Sequence, residues 1–376
     1  MWLASGNAAE ELIELLNSAE ADGLSPSRYP LRKLEKAVRS ARSGDARGIK
    51  RADAMLSEAF VSYVRDLKRA PSAGMIWVDR ELAPTPPSAR ALLDSAAAAP
   101  SLAAYVENMG WMNPYYAQLR WAIADRTYSS EDQRRLLVLN LERARALPGG
   151  RGRYILVNAA AQRLEMYQGG QVVDSMKVVV GKPKYPTPMM AGLVRFASLN
   201  PYWYVPPDLA AERIAPNVVK QGLKYLNRQG YEVVDDFVEH PKIVDPSIID
   251  WKAVADGSFN VLIRQRPGKY NAMGRMKFMF PNEQGIYLHD TPEKELLSEA
   301  SRLFSGGCVR LEDAPRLGQW LFGRPLDPEG AATEQQVPLP KPVPVYITYL
   351  TAVPNGSSVA YFEDVYGRDA GRLASR

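Results

Sequence analysis

The chain changes its hydrophobic period once, at Pro148-Gly149-Gly150, and that break separates two kinds of structure. Before it, Ala52, Met55, Leu56, Ala59, Phe60, Tyr63, Val64 and Leu67 recur at helical spacing and form one apolar stripe. Leu31, Leu34, Val38 and Ala41 do the same for an earlier helix. Residues 8 to about 145 therefore read as helical, interrupted at Ala83-Pro84-Thr85-Pro86-Pro87. Ser130 to Leu147 forms the last helix, and Pro148-Gly149-Gly150 stops it. Stripes of this kind serve core packing. This half carries no cofactor motif or catalytic cluster, and its expected role is scaffolding.

After Gly150 the apolar runs become short, β-branched and aromatic, the signature of strands. Such runs cover Tyr154 to Asn158, Arg163 to Tyr167, Gln171 to Val180, Leu193 to Leu199, Arg275 to Phe280, Gly285 to His289 and Pro344 to Val353. Gly169-Gly170 joins the second and third as a hairpin. Between the fourth and fifth lies Pro201 to Gly274, rich in Pro, Tyr, Asn and Arg, with a helix expected over Ile214 to Arg228. An insertion of this length is more often a lid or binding element than slack. Val337-Pro338-Leu339-Pro340-Lys341-Pro342 reads as a short extended connector. The fold class is α+β, and 376 residues suffice for two domains.

Scarcity limits the chemistry. One Cys and two His exclude an internal disulfide, a multi-cysteine zinc site and an all-histidine metal site, and no metal or cofactor is expected. No stretch approaches the run of about 20 apolar residues that a spanning helix needs. The formal charge of +5 suits an anionic polymer but is too common to identify one, and no nucleic-acid motif accompanies it. Met1-Trp2-Leu3-Ala4-Ser5-Gly6 has neither a basic nor an apolar leader region, so either the protein is cytoplasmic or a signal segment is missing from this chain.

A Cys/His pair, if there is one, joins Cys308 to His240 or His289. Cys308 ends Ser305-Gly306-Gly307-Cys308, where two glycines let a ligand approach the backbone and can aim the N–H groups of Gly307 and Cys308 at one oxyanion. The segment Pro292 to Phe304 before it reads as a helix. Asp313-Ala314-Pro315 after it reads as an N-cap opening another, so the thiol lies in a tight connection. A lone Cys in such a place is either a buried structural residue or a nucleophile. His289 closes a strand, with Tyr287 on its face and Leu288 on the other. It can raise the thiolate fraction of a nearby thiol or simply hydrogen-bond within the sheet. His240, among Asp235, Asp236 and Glu239, reads as a surface residue. Arg310 can clamp a substrate carboxylate, or hold its loop by pairing with Glu312 or Asp313.

Taken together these segments resemble the L,D-transpeptidases, the YkuD-type domain, and among them the YcbB-like group. The matching parts are Val157-Asn158 with Arg163-Leu164, Val179-Val180-Gly181-Lys182-Pro183, Thr187-Pro188, Leu199-Asn200-Pro201-Tyr202-Trp203, Val205-Pro206-Pro207, and Arg264-Gln265 with Pro267-Gly268. The most diagnostic are Lys277-Phe278-Met279-Phe280-Pro281-Asn282, Tyr287-Leu288-His289-Asp290-Thr291-Pro292 and Ser305 to Arg310. In the helical half, Asn113-Pro114-Tyr115-Tyr116 and Leu119-Arg120 resemble the scaffold domain of the same group. Many family members have His where Gly306 stands and Asn where Arg310 stands.

The resemblance implies a helical scaffold over 1–148 and a mostly β catalytic domain of YkuD-like β-sandwich type over 151–353. A capping insertion would span about 201–274, and 354–376 would be a C-terminal tail. It implies Cys308 as nucleophile and His289 as base, with Ser305, Gly306 and Gly307 as supporting loop and Tyr287, Asp290 and Arg310 as substrate contacts. The implied reaction cross-links two diaminopimelate residues of peptidoglycan stem peptides through a Cys thioester, releasing D-alanine. Water as acceptor would make an L,D-carboxypeptidase, and a lysine of an outer-membrane lipoprotein an anchoring enzyme. A non-catalytic wall-binding protein is the alternative of another class. Family members are exported, which favours a periplasmic or envelope location. No separate polymer-binding module stands between the scaffold and residue 151.

Overall fold

The computed structural model describes residues 1–42, 44–69, 73–356 and 358–373. The helical half holds α1 (Ala8–Asn17), α2 (Leu31–Ala41), α3 (Ala46–Leu67), α4 (Ala89–Ala97), α5 (Leu102–Glu107), α6 (Pro114–Ala124) and α7 (Glu131–Ala144). Helix starts follow the local chemistry. Asp45, Ser88, Ser101, Asn113 and Ser130 each place a side-chain oxygen on a free N–H of the first turn. The expected stripe of α3 is buried at Ala52, Leu56, Ala59, Phe60, Tyr63, Val64 and Leu67, while Met55 is only partly covered.

The strands of the described residues follow the sequence as β1 (Ile76–Trp77), β2 (Tyr154–Asn158), β3 (Arg163–Gln168), β4 (Gln171–Gly181), β5 (Met190–Leu199), β6 (Trp203–Val205), β7 (Tyr231–Val234), β8 (Leu262–Gln265), β9 (Met276–Met279), β10 (Leu288–His289), β11 (Leu303–Ser305), β12 (Val309–Leu311), β13 (Gln335–Thr348), β14 (Ala352–Asn355) and β15 (Ser358–Tyr361). The main sheet runs β1-β5-β13-β2-β3-β4-β12-β10-β9, and β9 also pairs with β5, so the sheet closes over its own core. Every residue of β2 is buried because both faces are covered. Ile155 and Val157 point into the sheet core, and Tyr154 and Leu156 join the core of the helices. One apolar junction thus fuses the two halves.

The insertion leaves after β5 and returns at β9, and Leu199 pairs directly with Met276. It forms its own small unit, with sheet β6-β8-β7, helices Ala215–Gln221, Lys224–Gln229 and Trp251–Ala255, and a core around Trp203, Ile214, Val233, Trp251 and Ile263.

Four expectations differ from the structure. The helix expected over Ile214 to Arg228 is broken at Gly222, whose φ is +75°, into Ala215–Gln221 and Lys224–Gln229. Pro292 to Phe304 is not one helix. It holds a 3-10 turn at Lys294–Ser298 and then β11, which pairs with β4. The proline-rich 337–342 segment lies inside β13, whose register to β5 shifts between Pro338 and Val343 because those prolines lack the ladder donor. Beyond residue 353, where a tail was expected, the chain makes the β14–β15 hairpin and a helix at Arg368–Leu373. Residues 357 and 374–376 of that span lie outside the described residues.

Candidate active site

Three adjacent strands build the site. His289 of β10 pairs with Lys277 of β9 on one side and with Arg310 of β12 on the other. The next residues back, Leu288, Phe278 and Val309, are likewise in register and fully buried in the sheet core. Alternation then obliges Lys277, His289 and Arg310 to share the opposite face. One step earlier, the Val309 N–H donates to the Tyr287 carbonyl at 3.0 Å, which brings Cys308 alongside Tyr287. The structure thus gathers Cys308, His289, Tyr287 and Arg310, and leaves His240 exposed on the insertion.

His289 is buried, and its Nδ1 lies 2.5 Å from the Asp290 carbonyl. A carbonyl only accepts, so Nδ1 carries the proton and Nε2 keeps the lone pair of a base. Burial, reinforced by the charge of Arg310, lowers the imidazole pKa to about 3, against the opposing pull of Asp290. Burial also pushes the Cys308 thiol up, while its hydrogen bond with the Tyr287 backbone and the charges of Arg310 and Lys277 pull it back. The resting pair is a neutral thiol and a neutral imidazole. The half-buried thiol rests 3.4 Å from the Gly285 carbonyl.

The loop before the thiol is fixed by its own atoms. Ser305 Oγ donates to the Cys308 carbonyl at 2.6 Å and accepts the Gly307 N–H at 3.1 Å. Gly307 has φ of +114°, a region open to glycine alone. The expected pair of oxyanion donors is therefore reduced in this state. The Gly307 N–H is engaged, whereas the Cys308 N–H has no protein acceptor among the described residues. Leu209 of the insertion packs against Gly306, where an added Cβ would lie 3.0 Å from its Cδ1.

Arg310 is buried and pairs with Glu293, not with its sequence neighbours. Glu312 accepts the Lys177 N–H at 3.0 Å, and Asp313 caps the helix Ala314–Phe322 through the Arg316 N–H. The Asp290 carboxylate is held by the Arg275 N–H at 3.0 Å and Lys294 Nζ at 2.8 Å, so the structure places it in tethering bonds. A cavity of about 620 Å³ reaches Arg310 and Glu293 from the insertion side, where Trp203, Glu212, Arg213 and Tyr231 line it. Lys277 is the contributor that residue-level reading missed. Burial lowers its pKa, and its Nζ lies 5.6 Å from the Tyr287 ring centre. Its alternation with Phe278 was the available signal. No group of three or more His, Cys, Asp or Glu side chains able to hold a metal occurs among the described residues.

The L,D-transpeptidase catalytic domain, YkuD, matches residues 152–339, half of the chain, and a Scaffold domain matches residues 1–123. A Haemophilus influenzae protein named "Putative L,D-transpeptidase" is 30% identical over 240 residues, covering 62% of this chain and 48% of its own. The chain thus spans about half the length of that curated relative. Among solved structures, an L,D-transpeptidase from Mycobacterium smegmatis is 14% identical with a TM-score of 0.25, covering 54% of this chain and 63% of its own. L,D-transpeptidase 3 from Mycobacterium tuberculosis, in complex with a faropenem-derived adduct, is 13% identical with a TM-score of 0.23, covering 54% and 65%.

Proposed function

The chain belongs to the L,D-transpeptidase catalytic-domain family, and from that premise we propose that it transfers acyl groups between peptidoglycan stem peptides, with Cys308 as nucleophile and His289 as base. The observation that supports this reading best is the tautomer of His289. With Nδ1–H committed to the Asp290 carbonyl, Nε2 keeps the lone pair of a base, and the bond from the Val309 N–H to the Tyr287 carbonyl brings Cys308 to the neighbouring end of the same strand pair.

In the first half-reaction His289 Nε2 takes the thiol proton, and Sγ attacks the carbonyl of the L-centre of diaminopimelate, third residue of a tetrapeptide donor. The tetrahedral oxyanion collapses by breaking the C–N bond to the terminal D-alanine, whose amine receives the proton from His289. The thioester keeps much of the energy of the broken amide, so no nucleotide is needed. In the second half-reaction the side-chain amine of another stem attacks the thioester and gives up a proton to His289. Cys308 leaves as the thiolate, recovers that proton, and a cross-link between two third-position residues remains. A protein with this activity would work in the cell envelope, outside the cytoplasmic membrane, where its proposed substrate lies.

The test is mass spectrometry of diaminopimelate-containing tetrapeptide muropeptides incubated with the protein and with its Cys308→Ala variant. Dimers formed only by the intact protein are expected. Dimers formed equally by Cys308→Ala would overturn the assignment, and tripeptide without dimer would identify water as the acceptor.

A further inference from the structure

Resting on the proposed acyl transfer, we propose that Thr187 is a positioning residue that aims the Cys308 N–H at the reacting oxygen, and that Tyr366 and Arg368 of the C-terminal segment hold it in place. Thr187 is fully buried, on the loop between β4 and β5. Its Oγ1 accepts the Gly181 N–H at 2.8 Å and donates to the Gly307 carbonyl at 2.8 Å. The Gly307 carbonyl and the Cys308 N–H belong to one rigid trans peptide unit and point in opposite directions. Fixing the oxygen therefore fixes the N–H. Among the described residues that N–H has no protein acceptor, whereas Ser305 Oγ takes the Gly307 N–H.

Thr187 is itself clamped. Tyr366 Oη donates to the Gly181 carbonyl at 2.6 Å, and Arg368 Nη2 donates to the Thr187 carbonyl at 2.9 Å. An added Cβ at Gly181 would sit 2.0 Å from the Tyr185 carbonyl, so the turn closes only on glycine. Tyr366 stacks on Tyr349 with ring centres 5.2 Å apart and donates its N–H to the Tyr349 hydroxyl at 3.1 Å. The Arg368 guanidinium lies 5.0 Å from both ring centres. Asp369, next in sequence, pairs with Arg143 of α7 and accepts from Thr351 Oγ1 at 2.6 Å. A continuous set of bonds therefore runs from the helical half through the C-terminal segment to the peptide unit before the nucleophile.

Two reactions of Cys308 separate aiming from general reactivity. Alkylation by iodoacetamide displaces iodide at a saturated carbon and needs no oxyanion donor. Acylation by p-nitrophenyl acetate passes through a tetrahedral oxyanion. Thr187→Val is expected to slow acylation by about tenfold to a hundredfold, with alkylation changed less than about twofold and Thr187→Ser restoring the wild-type ratio. Tyr366→Phe keeps the Thr187 hydroxyl and should shift the ratio the same way by about threefold, which decides the matter should Thr187→Val not fold. Equal slowing of both reactions, or no change in their ratio in folded variants, overturns the proposal. Neither probe is a muropeptide, so failure of the peptidoglycan reading would appear separately, as absent product from the wild-type protein.

Discussion

Arg310 stands directly across from His289 in the parallel pairing of β12 with β10, and its charge adds to burial in keeping the imidazole uncharged. Lys277 flanks His289 from β9, so a proton on this ring would meet a cation on each side. The same two cations favour the Cys308 thiolate. In the proposed mechanism the tasks are therefore separate: His289 would serve as the uncharged base at physiological pH, and Lys277 and Arg310 would stabilise the negative charge that it helps to create.

The pH dependence of Cys308 alkylation follows. Because burial raises the thiol pKa from 9.0, the iodoacetamide rate is expected to climb through pH 7–9 without a plateau and without a step near 6.5. Lys277→Met removes one stabilising charge, raises the thiol pKa further, and should lower the rate at pH 7 by about threefold to tenfold. A rate already saturated at pH 7 would mean an ion pair in the resting enzyme and would contradict this account.

His289 also links stability to acidity. Its folded pKa of about 3 lies below the unfolded value of 6.5, so the unfolded chain binds the extra proton between those limits. The contribution is complete above pH 6.5 and is lost as pH falls toward 3, reaching about 2 kcal/mol at pH 5. Denaturant titrations at pH 7.5 and pH 5 should show a loss of that size in the wild-type protein and a smaller one in His289→Asn.

Much of this site follows from local pattern. Once β9, β10 and β12 are strands, burying Phe278, Leu288 and Val309 fixes the shared face of Lys277, His289 and Arg310. The N-cap at Asp313 was equally legible, because its partner is three residues away. What escaped were contacts between distant parts of the chain. Thr187 meets Gly307 across 120 residues, and Arg310 chooses Glu293 because the turn after β10 brings it back. Leu303 and Phe304 read as the end of a helix by their apolar spacing, yet the free end of β4 pairs with them and Ser305 as a strand. Similarly, nothing local to Tyr366 and Arg368 announces that the carbonyls of Gly181 and Thr187 are their acceptors.

In the helical half, Asp22 gathers three buried donors. Tyr63 Oη lies 2.7 Å away, Tyr116 Oη 2.6 Å and Arg120 Nε 3.2 Å, and the pair Asp22–Arg120 is inaccessible to solvent. Arg120 Nη2 also donates to the carbonyls of Leu15 and Ser18, so the cluster ties the end of α1 to α6. Asp22→Ala strands the guanidinium and both hydroxyls, and should cost about 3–5 kcal/mol. Asp22→Asn keeps an acceptor oxygen and should cost less. Urea unfolding followed by tryptophan fluorescence measures both, and equal losses would show that charge is irrelevant to the cluster.

The last prediction concerns the latch between the halves. Arg143 of α7 is buried, pairs with Asp369, and donates to the Tyr349 carbonyl at 3.0 Å, while Asn140 one turn earlier exchanges hydrogen bonds with Thr351 at 2.8 and 3.0 Å. Asp369→Leu leaves a buried guanidinium without its counter-ion and should lose about 3 kcal/mol or more. Arg143→Met alone leaves a buried carboxylate that still has the Thr351 hydroxyl, and should lose less. In the double variant neither charge is stranded, so its loss should fall below the sum of the two single losses by at least about 1 kcal/mol. The double-mutant cycle in urea reads this coupling directly. Strict additivity would mean that the pair does not latch the C-terminal helix to α7, and that the Asn140–Thr351 bonds and the apolar junction around Tyr154 and Leu156 hold the halves without it.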